Sequence, residues 1–107
     1  MKCLFLTILL FACINIKWAS SDDALSFADI AYGEYLSGEC VTCHQNEGAS
    51  MEIPSIFGRD AAILFTIIKA YKNKELDNEV MQLVAGRLDD EQIASLAIYF
   101  ESIESVD

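Results

Sequence analysis

The clearest pattern in the chain lies near its C-terminal end, where Ile93, Leu96, Ala97, Phe100 and Ile103 recur at the spacing of one helical face. Asp89 and Gln92 stand ahead of this run as a cap pair, each placed to satisfy a backbone group of the first turn. A second run, "DAAILFTIIKAYKNK" from Asp60 to Lys74, is rich in β-branched residues. Its length, the aspartate at its start and the lysines at its end nevertheless predict a helix, with Lys69, Lys72 and Lys74 complementing the negative end of the helix dipole. A further helix is expected from Phe27 to Gly38, because Ser26 and Asp29 resemble a capping box and Phe27, Ile30, Ala31 and Tyr35 fall near one stripe. Gly33 within it costs about 1 kcal/mol relative to alanine, so either another backbone passes close by or the glycine is one tolerated on the surface. A short helical turn from Val80 to Ala85, closed by Gly86, lies between the two later helices. The segment from Gln45 to Gly58 carries the only proline, Pro54, and reads as a loop. No strand pattern remains, so the chain is read as one all-α domain.

The N-terminal segment follows a different rule. Lys2 precedes an apolar run from Cys3 to Ile14, which ends near the small residues Ala19 to Ser21. That arrangement predicts a signal peptide over residues 1–21 and a domain over 22–107. The apolar run falls short of the roughly 20 residues a membrane span needs. Two other outcomes are a leader retained as an anchor and a lipid attached at Cys13, within the loose lipoprotein box from Leu10 to Cys13. Exported to the periplasm and cleaved after Ser21, the protein would have no membrane span.

The charge balance narrows the partners. Seventeen acidic residues face seven basic ones, for a net charge of −10. Loss of Lys2 and Lys17 leaves five basic residues, so the net charge becomes −12. Nucleic acid is excluded as a partner, since phosphate neutralisation needs clustered Lys and Arg, and a protein with a basic docking face is favoured. A domain this small also sits where a hydrophobic core alone is marginal, so a staple is expected.

"CVTCH", from Cys40 to His44, supplies candidates for that staple. A disulfide between Cys40 and Cys43 would close too short a loop to stabilise much and would leave His44 without a role. A thioredoxin-like redox pair would sit in a strand-to-helix context, which is missing here. Structural zinc asks for four ligands; His44 is the only histidine, and the other cysteines, Cys3 and Cys13, belong to the leader. The remaining reading is a c-type haem attachment site. Two thioether bonds would tie the porphyrin to Cys40 and Cys43, and His44 would be carried under the iron as an axial ligand.

A second axial donor is then needed, and with one histidine a methionine thioether is the natural choice. Met51 follows His44 by only seven residues, whereas Met81 is far enough along the chain to return on the opposite face. Met81 is therefore expected as the distal ligand, with an open, gas-binding iron as the other outcome. Paired histidine and methionine favour the reduced iron more than two histidines do, which would make the protein a relatively oxidising electron carrier.

The stretches "GEYLSGECVTCH", "IPSI" and "VMQLVAGRLDDEQIASLAIYF" together resemble a bacterial class I cytochrome c. The resemblance runs from Tyr32 to Phe100 and is nearest to the small cytochromes c553 and to the cytochrome subunits of flavocytochrome c sulfide dehydrogenases. It implies helices wrapped around a single haem c held by Cys40 and Cys43, with His44 and Met81 on the iron. It also implies that the Pro54 carbonyl accepts from the other ring nitrogen of His44, that Tyr71 packs near the haem, and that Gly33 crosses the last helix at Tyr99 or Phe100. The acidic Glu47 and Glu52 depart from the pattern. On this reading the protein is not itself an enzyme. It is a periplasmic carrier between redox partner proteins, or else the haem subunit of a flavoprotein oxidoreductase. A haem-based ligand sensor and a zinc module are the remaining alternatives.

Overall fold

The computed structural model describes residues 21–44 and 55–104. Among the described residues the chain forms six helices and no strand: α1 (Ser21–Ser26), α2 (Ile30–Leu36), α3 (Gly38–Val41), α4 (Ala61–Lys72), α5 (Glu79–Gly86) and α6 (Asp90–Ser102). The all-α class read from the sequence is the class observed.

The last helix starts where its cap pair predicts. Asp89 accepts from the N–H of Gln92 at 2.8 Å, while the Gln92 side chain accepts from the Asp89 N–H at 2.9 Å. Asp60 caps α4 through the N–H of Ile63 at 3.0 Å, and Asn78 caps α5 through the N–H of Met81 at 3.0 Å. α4 stops two residues short of the expected Lys74, which takes a positive φ of 61° just past the helix end. Gly86 ends α5 as its last helical residue and does not close it from outside.

The region from Phe27 to Gly38 departs most from expectation. Asp29, not Ser26, is the cap of α2, accepting from the N–H of Tyr32 at 2.9 Å. The Ser26 hydroxyl turns back to the carbonyl of Asp23 at 2.6 Å and closes the separate helix α1. The apolar stripe also faces the wrong way for a core: Phe27 is 77% exposed, Ile30 51% and Tyr35 82%. α2 packs on α6 through the opposite side, where Gly33 and Ser37 are buried.

Gly33 explains that choice. A Cβ built there would lie 2.0 Å from the Ser95 carbonyl oxygen and 2.8 Å from the Tyr99 Cβ, distances no side chain tolerates. The two helix backbones therefore touch, and contact at that range outweighs burial of a few larger side chains further out. Ser95, fully buried, reinforces the crossing by accepting the Asp29 N–H at 3.1 Å on its hydroxyl oxygen. The sequence expectation of Gly33 against Tyr99 is met.

Around α6 the core consists of Ala61, Leu64 and Phe65 of α4 with Ile93, Ala94, Leu96, Ala97 and Phe100. Phe57 meets Phe100 edge-on at 5.6 Å, and the Gly58 N–H donates to the Phe100 carbonyl at 2.9 Å, anchoring the chain that leads into α4. Glu101 accepts the Ala61 N–H at 2.5 Å, so the end of α6 holds the start of α4. At the other end of α4, Lys69 pairs with Asp90 at 2.7 Å and Lys72 donates to the Leu88 carbonyl. Two of the three lysines thus do more than complement a helix end, since they tie α4 to the turn before α6.

Gly33→Ala is expected to destabilise the protein by about 2 kcal/mol or more, because neither backbone can retreat from the crossing. Gly86→Ala, at a site with nothing within 4 Å, should be neutral or gain up to about 1 kcal/mol. Urea unfolding of the two variants checks the contrast, and equal stabilities would mean the close contact does not govern α2 packing.

Candidate functional site

The attachment turn grows directly out of α2. Ser37 ends α2 with helical backbone angles and also starts α3, so the chain continues in a near-helical path from Ile30 to His44. The N–H groups of Cys40 and Val41 donate to the Ser37 carbonyl at 2.9 and 3.0 Å. Those of Cys43 and His44 donate to the Cys40 carbonyl at 3.2 and 2.8 Å. Thr42 adds a hydroxyl bond to the Gly38 carbonyl at 2.9 Å. Cys40, Cys43 and His44 are thereby fixed on one helical turn.

Neither Cys40 nor Cys43 forms a disulfide among the described residues. Cys43 is exposed and Cys40 is half-buried, packed with Val41 against the core. Burial, aided by the neighbouring Glu39 carboxylate, pushes the Cys40 thiol up from 9.0 to about 11. Among the described residues no three His, Cys, Asp or Glu side chains are grouped as a metal site would require.

Met81 sits in the first turn of α5, half-buried. The far end of that helix reaches the attachment turn, where Arg87 lies 3.7 Å from Glu39. Both side chains are exposed, so the pair contributes at most about 1 kcal/mol; it links the C-terminal end of α5 to α3, while Met81 lies at the other end of α5. Tyr71 lies half-buried in the last turn of α4, its carbonyl accepting from the Lys74 N–H at 3.0 Å. Pro54 and Met51 fall outside the described residues, as do Glu47, Glu52 and residues 1–20 of the predicted leader.

Several features of the site escaped the sequence reading. Ser55, next to Pro54 in the sequence, has a buried hydroxyl with no hydrogen-bond partner among the described residues. Val80 and Leu83 of α5 are 65% and 67% exposed, apolar surface on the same helix as Met81. α4 carries an open depression of about 250 Å³ lined by Ala62, Ile63, Thr66 and Ile67. No residue of the cysteine motif lines it, so it is not assigned to the cofactor. Only the charge-free runs over residues 61–68 and 80–86 hinted at this surface, because core and exposed apolar positions look alike in sequence.

The residues present fit haem c. The motif offers two unbridged thiols and an imidazole on one turn, a thioether stands on a neighbouring helix, and an orphaned hydroxyl lies beside the expected proline. No protein-family model matches the chain. It is 37% identical over 81 residues to cytochrome c-554(548) of Halomonas halodenitrificans, an alignment covering 71% of this chain and 98% of that protein. The chain belongs to the class I c-type cytochromes. It is also 35% identical over 72 residues to the cytochrome subunit of sulfide dehydrogenase of Chlorobaculum tepidum, covering 66% of each chain. As a c-type cytochrome, the protein takes part in electron transport with a covalently bound haem.

Before haem is attached, the exposed Cys43 of this cytochrome should react with iodoacetamide at neutral pH well ahead of the half-buried Cys40. The deficit at Cys40 should close as the pH rises toward about 11, where its thiol ionises. Peptide mapping of the label reads the two rates, and equal rates at neutral pH would show that the turn is not formed in the free chain.

Proposed function

We propose that this cytochrome is an exported, periplasmic carrier with one haem c, bonded through Cys40 and Cys43, and with His44 and Met81 as axial ligands. The observation that carries the proposal is the single helical turn presenting two unbridged thiols and the only imidazole of the chain. When bound, the haem supplies a one-electron iron couple. The chain's residues do the rest. The Cys40 carbonyl, by accepting two N–H groups, holds both thiols and the imidazole in fixed relation. Met81 provides a soft sulfur that favours iron(II), and a haem set against the core is shielded from water, which shifts the couple the same way. The Pro54 carbonyl would orient the His44 ring, and Tyr71 would pack at the cofactor's edge.

The leader over residues 1–21 supports export, and no described helix is long and apolar enough to cross a membrane. With iron ligated on both sides, substrate chemistry has no place at the metal, so catalysis is assigned to partners and not to this chain. Nucleic acid remains an unsuitable partner for so acidic a protein.

A second reading rests on the similarity to the sulfide dehydrogenase subunit. There the haem would drain electrons from a flavoprotein in a stable assembly, and co-purification with a flavin-containing chain separates that reading from a free carrier.

Denatured protein treated with acidified acetone should keep its pigment on the polypeptide; release of the pigment would refute thioether attachment. Met81→Ala should weaken the low-spin state, abolish the methionine-to-iron charge-transfer band and lower the reduction potential. An unchanged spectrum would remove Met81 from the iron, and rapid carbon monoxide binding by the unaltered protein would favour a sensor.

A further inference from the structure

The outer face of α2 is a largely apolar strip that no described residue covers. Ile30, Ala31, Glu34 and Tyr35 occupy positions i, i+1, i+4 and i+5, two adjacent rows of one helical face, and all four are exposed. Helix packing gives no reason for the apolar members, since α2 meets α6 through Gly33 on its other side.

Tyr35 is the most exposed large apolar side chain among the described residues, at 82%. Its ring lies nearly parallel to that of Tyr32, at 15° and a centroid distance of 6.5 Å, and the Tyr32 hydroxyl accepts from the Gln92 side chain at 3.1 Å. An aromatic side chain has few torsions to lose when it is covered, which suits it to anchor an interface. The surrounding charge is mostly acidic, Arg87 beside Glu39 being the cation that the structure brings near. Residues 18–58 contain no Lys or Arg, while Asp22, Asp23, Asp29, Glu34 and Glu39 fall in the stretch that forms α1 to α3.

We propose that this face, centred on Tyr35 with Ile30 and Ala31 beside it, docks an electron-exchange protein that presents an apolar patch inside a Lys and Arg rim. A second copy of the chain is the poorer occupant, because a two-fold contact would set the same acids against one another. The proposal rests on the haem reading above. Tyr35 precedes Cys40 by five residues of near-helical chain, about 7.5 Å of axial rise, so a partner seated there lies beside the segment that holds the cofactor.

The test uses the holoprotein and tris(1,10-phenanthroline)chromium(III), a tripositive ion with flat aromatic edges, as a paramagnetic probe. Amide NMR signals of Ile30, Ala31, Glu34 and Tyr35 should broaden first, and salt should reverse the effect. The cobalt(III) analogue takes one electron from the reduced protein and becomes cobalt(II). Tyr35→Ser should slow that step about fivefold, Tyr35→Phe should keep the original rate, and both should retain the parent's haem spectrum and potential. Broadening centred on Val80 and Leu83, or an unchanged rate in Tyr35→Ser, overturns the proposal. A sedimenting dimer dissolved by Tyr35→Ser assigns the face to a second copy and overturns it too. Failure of the haem reading shows separately, as a missing haem spectrum in the unaltered protein, while the NMR broadening still reports on the face.

Discussion

Backbone contact between α2 and α6 is the constraint on which the rest of the structure depends. With Gly33 against the Ser95 carbonyl, α2 has no freedom to rotate and present its larger apolar residues inward. The crossing fixes where α2 ends, and therefore where the attachment turn begins. It also orients α6, whose two ends hold α4 through Glu101 and Asp90. A single missing side chain thus decides the placement of the cysteines, more than sixty residues before the partner helix closes the domain.

The attachment turn is continuous with the core, since Cys40 and Val41 pack against the cluster built on α4 and α6. For a domain of this size that continuity matters, because the interior built from side chains alone is small. Apolar surface remains open on α4 and α5, and a large flat prosthetic group bonded to the chain adds buried area without adding chain entropy. Covalent attachment and fold stability are in this sense one problem solved once.

Much of this was legible in the sequence, and the exceptions have physical reasons. The α6 cap pair and the Asp60 cap of α4 are local signals that no tertiary contact contradicts, and they were read correctly. Gly33 was readable as a close approach because glycine inside a helix costs stability unless space demands it. The break into α1, α2 and α3 was hidden: Ser26 has two available partners and chose the Asp23 carbonyl, and Ser37 keeps helical angles across the second junction. The outward stripe was misread because periodicity locates a face without saying whether a neighbour covers it. At the site, the motif spacing pointed to Cys40, Cys43 and His44, which the structure brings onto one turn. The buried hydroxyl of Ser55 and the Glu39 to Arg87 tie depend on distant elements meeting, which no local pattern records.

The segregation of charge along the chain has a consequence for motion in solution. The described Lys and Arg residues all lie between Arg59 and Arg87, whereas residues 21–44 contribute only acids and His44. An uneven distribution of charge of this kind gives a molecule an electric dipole moment. A charged surface exerts a torque on such a body within roughly a Debye length, about 8 Å at physiological ionic strength. Ionic strength then governs which way the protein is turned on arrival, as well as how often it arrives.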